Sequence, residues 1–198
     1  MMPVNYTNRK GLTYTLYRGQ TRTSKPRYYF SRTNPGQGEL VTELPPGFTI
    51  SESVNGVVSL VKDRPALIHL EEVAIVEAEV KLHPKSRQYR VVVKQNRIEI
   101  YEQINLSSDA LLDLLPMVGR LNAGLIEQLQ SWDDRYAQYM PVLRFILFDS
   151  EQRRFSAERM CYRSSIDGWL KLTRGGSIAE LAHALVPTLD TDAFYELW

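Results

Sequence analysis

Cysteine is almost missing from this chain. Cys161 is the only one in 198 residues, which excludes an intramolecular disulfide and a cysteine-based zinc site. Histidine is nearly as scarce, with His69, His83 and His183 alone, so histidine-rich metal or acid–base chemistry has little to work with. No apolar run approaches the ~20 residues of a membrane span. The opening stretch MMPVNYTNRK lacks the apolar core of a secretory signal. These absences lead to the expectation of a soluble, cytoplasmic, reducing setting with no membrane partner. Internal repeats, low-complexity tracts, a Walker motif, G-x-G-x-x-G and G-x-S-x-G are also absent, and Gly36-Gln37-Gly38 is too short for a phosphate loop. No cofactor is expected, and neither catalytic residues nor metal ligands are assigned.

Acid is the next thing lacking. Residues 1–38 hold no Asp or Glu but seven basic side chains: Arg9, Lys10, Arg18, Arg22, Lys25, Arg27 and Arg32. The whole chain is +1, so residues 39–198 carry −6. Within the basic part, residues 12–32 read as two strands joined by a polar loop over 19–26. Leu12, Tyr14 and Leu16 alternate with Thr13, Thr15 and Tyr17, the period of a half-buried strand. Tyr28 and Phe30 face one way on the second strand, and Arg27, Tyr29 and Ser31 the other. Lys25-Pro26 closes the loop, because proline holds the residue before it in an extended conformation. A second acid-free run spans 80–98, with Lys81, Lys85, Arg87, Arg90, Lys94 and Arg97.

What is present elsewhere fixes a fold class. Hydrophobic content of 43% and charged content of 24% are those of an ordinary globular protein, and the length suffices for a real core. Asn55-Gly56 between apolar runs signals a hairpin whose turn residues both accept positive φ. Residues 70–82 show both a helical face (Leu70, Val73, Val76, Val80) and a strand-like alternation. Glu71 and Glu72 suit a helix N-terminus, and the helix is favoured. Residues 88–101 read as a hairpin turning at Gln95-Asn96. Leucines from Leu111 to Leu129 recur at helical spacing and end at Trp132, with Pro116 a kink point. VLRFILF over 142–148 is apolar on both faces and reads as a central strand, followed by a return strand over 155–162. Ser177 and Glu180 have the spacing of a capping box for a helix over 178–186. A last short turn leads to FYELW, where Phe194, Leu197 and Trp198 are expected to pack back. The reading is an α+β protein with antiparallel hairpins in one or two sheets and about three helices. A β-rich part spans 1–65 and an α+β remainder 66–198.

Catalytic patterns are loose. Arg64 and His69 have an R-x4-H spacing that some ribonucleases use on a long helix, but Pro65 interrupts it. Asp63 with Glu79-Val80-Lys81 matches the D…ExK pattern of metal-dependent nucleases, whose acids hold Mg²⁺; that pattern needs Glu and Lys on a strand. Cys161 and His183 are a nominal nucleophile and base, with Arg159 and Arg163 beside the thiol, although a strand cysteine is ordinarily an inert core group.

The expected function is therefore binding. Basic side chains neutralise phosphates and aromatics stack on bases, so the candidate nucleic-acid contacts are Arg18, Arg22, Lys25, Arg27 and Arg32, with Tyr17 or Tyr29 stacking. DNA and RNA are both open. The alternative is an adaptor that docks a protein partner through the same hairpin or through FYELW, and metal-dependent nuclease chemistry is a further one.

Overall fold

The protein was examined as a computed structural model, which describes residues 2–33, 38–105, 131, 135–163, 166–172 and 174–196; the side chains of 162–163 and 166–167 lie outside that description. The expected leucine-rich helix ending at Trp132 falls outside the described residues. The chain divides into two compact units. Unit 1 comprises Met1–Asp63 and Asn105–Gln138, and unit 2 comprises Arg64–Ile104 and Tyr139–Trp198.

Unit 1 is built on strands β1 (Asn5–Thr7), β2 (Thr13–Gln20), β3 (Pro26–Ser31), β4 (Glu39–Leu40), β5 (Phe48–Glu52) and β6 (Val58–Lys62). All its pairings are antiparallel. β2 is the spine: β3 lies along one edge, and β1 and β4 follow one another along the other edge. β2 and β3 alternate β-branched and aromatic residues, which suits a pleated, half-buried surface. Residues paired directly across the ladder share a face, so Tyr6, Tyr14, Leu16 and Tyr28 point to one side. There the β5–β6 hairpin meets them. The Tyr28 ring lies 6.4 Å from Phe48, and the Tyr6 hydroxyl donates to Glu52 Oε2 at 2.9 Å. Asn8, buried, fixes both turns: its Oδ1 accepts from the Lys10 and Leu12 amides, and its Nδ2 donates to the Gly56 carbonyl at 2.7 Å.

The Asn-Gly hairpin forms, but only Gly56 adopts positive φ (+78°). The Ser53 carbonyl accepts from the Gly56 amide, and the Ser53 amide donates to Val57. This is a three-residue loop with glycine in the left-handed position, rather than a two-residue turn.

Unit 2 is a five-stranded antiparallel meander, β7 (Tyr89–Lys94) through β8 (Arg97–Gln103), β9 (Tyr139–Asp149) and β10 (Arg154–Arg163) to β11 (Ile166–Lys171), in spatial order equal to chain order. Three helices accompany it: α1 (Leu70–Leu82), α2 (Ile178–Leu185) and α3 (Asp192–Glu196). One sheet face, with Ile98, Ile100, Leu143, Phe145, Leu147, Phe155 and Ala157, packs against Val76 and Val80 of α1 and Ile178, Leu181, Ala182 and Leu185 of α2. Burying each such large side chain contributes roughly 1.5–3 kcal/mol, so this face is where unit 2 gains its stability.

The central strand expected at 142–148 is β9, in the middle of the sheet. Its second face is not core, however. Arg144 there donates to Glu158 at 2.8 Å with its guanidinium 4.0 Å from the Trp169 ring, and Phe148 is exposed. Residues 70–82 are helical, because Glu72, Val76 and Val80 recur at four-residue spacing on the buried face and the Glu72 carboxylate accepts from the His69 amide at 2.8 Å. The Ser177–Glu180 capping box is present in both directions, Glu180 N to Ser177 Oγ at 3.3 Å and Ser177 N to Glu180 Oε2 at 3.0 Å. Phe194 of α3 is buried as expected; Leu197 and Trp198 lie outside the described residues.

Candidate functional site

The β2–β3 ribbon carries the basic residues singled out in the sequence. Its strands run further than the reading of a loop over 19–26 allows: the link is Thr21 to Lys25 only. The Thr21 carbonyl accepts from the Ser24 amide at 3.0 Å, the Thr21 amide donates to the Lys25 carbonyl at 2.9 Å, and Ser24 takes φ +57°. A short turn with one left-handed residue keeps the two strands in register to Gln20↔Pro26, so the charged tip is a stiff ribbon end.

Register settles which side chains share a face. Gly19↔Arg27 and Tyr17↔Tyr29 lie on one side, and Arg18↔Tyr28 on the other. Arg18 and Arg27 therefore project from opposite faces of the ribbon, while Arg22 and Lys25 sit in its turn. Arg32 follows β3. All five cations are exposed, and among the described residues none of them is in an ion pair. Glu39 is the Cα partner of Arg18 on β4 and is the one acid near the tip.

On the Arg27 face lies a concavity of about 840 Å³, bordered by Gly19, Arg27, Tyr29, Gly38 and Glu39. The two glycines make it. A Cβ on Gly19 would stand 3.3 Å from Tyr29 Cε1, and one on Gly38 would stand 2.5 Å from the Tyr29 hydroxyl oxygen. Gly38 also has φ +139°, which side-chain-bearing residues rarely adopt. Tyr29 is thus held flat along the ribbon. Its ring stacks on Tyr17, centroids 5.9 Å apart and planes 20° apart.

That stack corrects one expectation. Tyr17 is only 7% exposed, so its ring is not an open platform for a base. Tyr29, half-buried, is the aromatic edge that remains accessible. Alternation assigns Tyr17 to a face and does not say whether that face is covered.

The second basic run lies in unit 2 and is largely engaged internally. Lys85 pairs with Asp190. Lys94 and Arg97 both reach Glu99, each at 2.6 Å. Arg90 donates to the carbonyls of Arg87 and Tyr89 and lies 5.3 Å over the Tyr139 ring. Glu99 is buried at the centre of this network, and Tyr101 donates to it at 2.7 Å. Burial alone would push its carboxyl up, but the Lys94, Tyr101 and Arg97 bonds outweigh that and hold it below the usual carboxylate range.

The catalytic patterns do not assemble. Glu79 and Lys81 are on a helix, and two residues there are ~200° apart around the axis, so they diverge with buried Val80 between them. His69 is the residue before α1 and Arg64 lies in the extended approach to it, where its guanidinium donates to Gln95. No helix carries the R-x4-H spacing. Cys161 is a half-buried free thiol opposite Gly168, and His183 sits exposed on α2 beside Glu79, at 3.3 Å. Among the described residues, no three His, Cys, Asp or Glu side chains gather as a metal-holding group. No described helix is long and apolar enough to cross a membrane. No protein-family model, curated protein or solved structure matches the chain.

Proposed function

We propose that unit 1 binds nucleic acid through the tip of the β2–β3 ribbon, with phosphates as the principal contacts. The observation that carries this is the contrast in charge use. In unit 2 Lys85, Lys94, Arg97, Arg144 and Arg153 each have a carboxylate partner. The five cations of the ribbon have none among the described residues, and they project from both faces and the turn. A ribbon charged on both sides suits a ligand that offers phosphates on both sides, as a duplex groove or a wrapped single strand does. Tyr29 supplies one edge for stacking beside Arg27. The reading gives affinity that falls steeply with salt and little sequence preference.

The test is fluorescence anisotropy with labelled single- and double-stranded DNA and RNA across a salt titration, comparing wild type with Arg18/Arg22/Lys25/Arg27→Ala. Micromolar or tighter binding that weakens with salt and is lost in the variant supports the reading. Absence of binding at low salt, or equal binding by the variant, rejects it.

A further inference from the structure

The search for a second surface leads to the outer edge of the unit 2 sheet. We propose that the free edge of β7, with the groove between β7 and α1, binds an extended acidic peptide segment of a partner protein by adding it as a sixth strand. This stands independently of the nucleic-acid reading, which concerns unit 1.

Three observations carry it. First, β7 is a true edge: among the described residues it pairs with β8 alone. Its register runs unbroken from Tyr89↔Glu102 to Lys94↔Arg97. An exposed edge is usually blunted by proline, a bulge or an inward charge. Here the middle of the strand is Val91-Val92-Val93, with none of these, and Val93 is 41% exposed. Leu67 donates to the Gln95 carbonyl at 2.8 Å, which closes the turn end and leaves 90–93 as the accessible stretch.

Second, the edge has a floor for side chains. Between β7 and α1 lies a groove of about 380 Å³, bordered by Glu77, Val80, Lys81, Arg87, Arg90 and Val91. An added strand sends alternate side chains to alternate faces. Those on the helix side would meet Val80 and Val91, and their neighbours would meet the rim.

Third, charge selects the occupant. Lys81, Arg87, Arg90 and Lys94 surround the edge against the single Glu77, within a run of six basic residues and no acid over 80–98. A second copy of this chain is a poor fit. The antiparallel register that sets Val91 to Val93 against themselves, about Val92, brings Arg90 opposite the copy's Lys94, and like charges directly opposed destabilise a pair. A partner strand alternating apolar and acidic residues meets both demands, with backbone bonds giving affinity and the cations giving specificity.

The experiment uses the full chain and a fluorescein-labelled hexapeptide alternating Val with Glu, followed by anisotropy. Two N-methylated versions accompany it, each methylated on alternate amides, so that only one of them blocks the amides that face β7. A Lys/Val peptide is the charge control. The expected result is saturable binding of the acidic peptide and loss with one N-methylation pattern but not the other. A drop of about tenfold is expected in the Lys81→Glu/Arg87→Glu variant, equivalent to ~1.4 kcal/mol, and no change in Arg18/Arg22/Lys25/Arg27→Ala. Equal binding of both N-methylated peptides would show attraction by charge alone and overturn the proposal. Equal binding of the Lys/Val peptide, or no saturable binding, would overturn it as well.

Discussion

Arg153 holds Glu72 with two guanidinium nitrogens: Nε donates to Oε1 at 2.8 Å and Nη2 to Oε2, while Nη2 also donates to the Leu67 carbonyl at 3.1 Å. Arg153 takes φ +51° in the β9–β10 turn to do so. The clasp joins the first turn of α1 to the sheet. Burial would push the Glu72 carboxyl up; the Arg153 bonds and the His69 amide outweigh this and hold it below its ordinary value. A folded-state depression contributes stability that is present above the unfolded value, ~4.3, and is lost as pH falls through the folded one. Glu72→Gln is therefore expected to cost about 2 kcal/mol at pH 7, and the difference from wild type should shrink on acidification. Urea denaturation at pH 7 and at low pH measures both. A constant difference across pH would show that packing rather than the ion pair is responsible.

Gly38 offers a test of the ribbon's shape. A methyl group there would lie 2.5 Å from the Tyr29 hydroxyl oxygen at φ +139°. Gly38→Ala should displace Tyr29 and cut single-strand affinity by an amount comparable to losing one stacked base, on the order of 1–3 kcal/mol. Tyr29→Phe should leave affinity near wild type, because the ring is retained. Anisotropy with a labelled single strand separates the two, and equal losses in both variants would point to the hydroxyl instead.

The salt slope counts phosphates. If Arg18, Arg22, Lys25 and Arg27 each meet one, the logarithm of affinity should fall with the logarithm of salt with slope about −3 for a single strand. Each single Arg→Ala change should then lower the slope by ~0.7. A wild-type slope near zero would leave these cations without a phosphate role.

Much of this architecture follows from local pattern, and its limits follow from the same cause. Alternation in β2 and β3, Ser177 with Glu180, and the apolar run of β9 are short-range signals, and each element appears where the pattern puts it. The helix over 70–82 wins over the competing strand because its glutamates and four-residue apolar spacing act together. What local pattern does not reveal is contact across the chain. Glu72 meets Arg153 from 81 residues away, and the covering of Tyr17 depends on the partner strand. Arg18 and Arg27 read as one patch in sequence; the register sends them to opposite faces. Likewise the second basic run reads as a surface until Glu99 and Asp190 arrive to engage much of it.

Glu102 provides a prediction of opposite sign to Glu72. Burial pushes its carboxyl up, and the charge of Asp190 adds to this; the bonds from Tyr89 and the charges of Lys85 and His83 only partly oppose it. The Tyr89 hydroxyl donates to Glu102 Oε1 at 3.4 Å, an interaction that a glutamine oxygen can also accept. For a carboxyl raised above its unfolded value, the stabilising contribution is present below that value and is lost as pH rises through the folded one. At neutral pH the fold therefore carries an ionised Glu102 at a cost. Glu102→Gln should raise the melting temperature at pH 7, and the gain should vanish once the pH falls below about 4, where wild-type Glu102 is itself neutral in both states. Asp190→Asn should act in two ways, relieving Glu102 while removing the partner of Lys85, so its gain at pH 7 should be smaller than that of Glu102→Gln. Thermal melts of the two variants at neutral and acid pH decide the matter. A Glu102→Gln protein less stable than wild type at pH 7 would mean that the charged form is the one the fold favours, and that Lys85 and His83 rather than burial govern this end of the core.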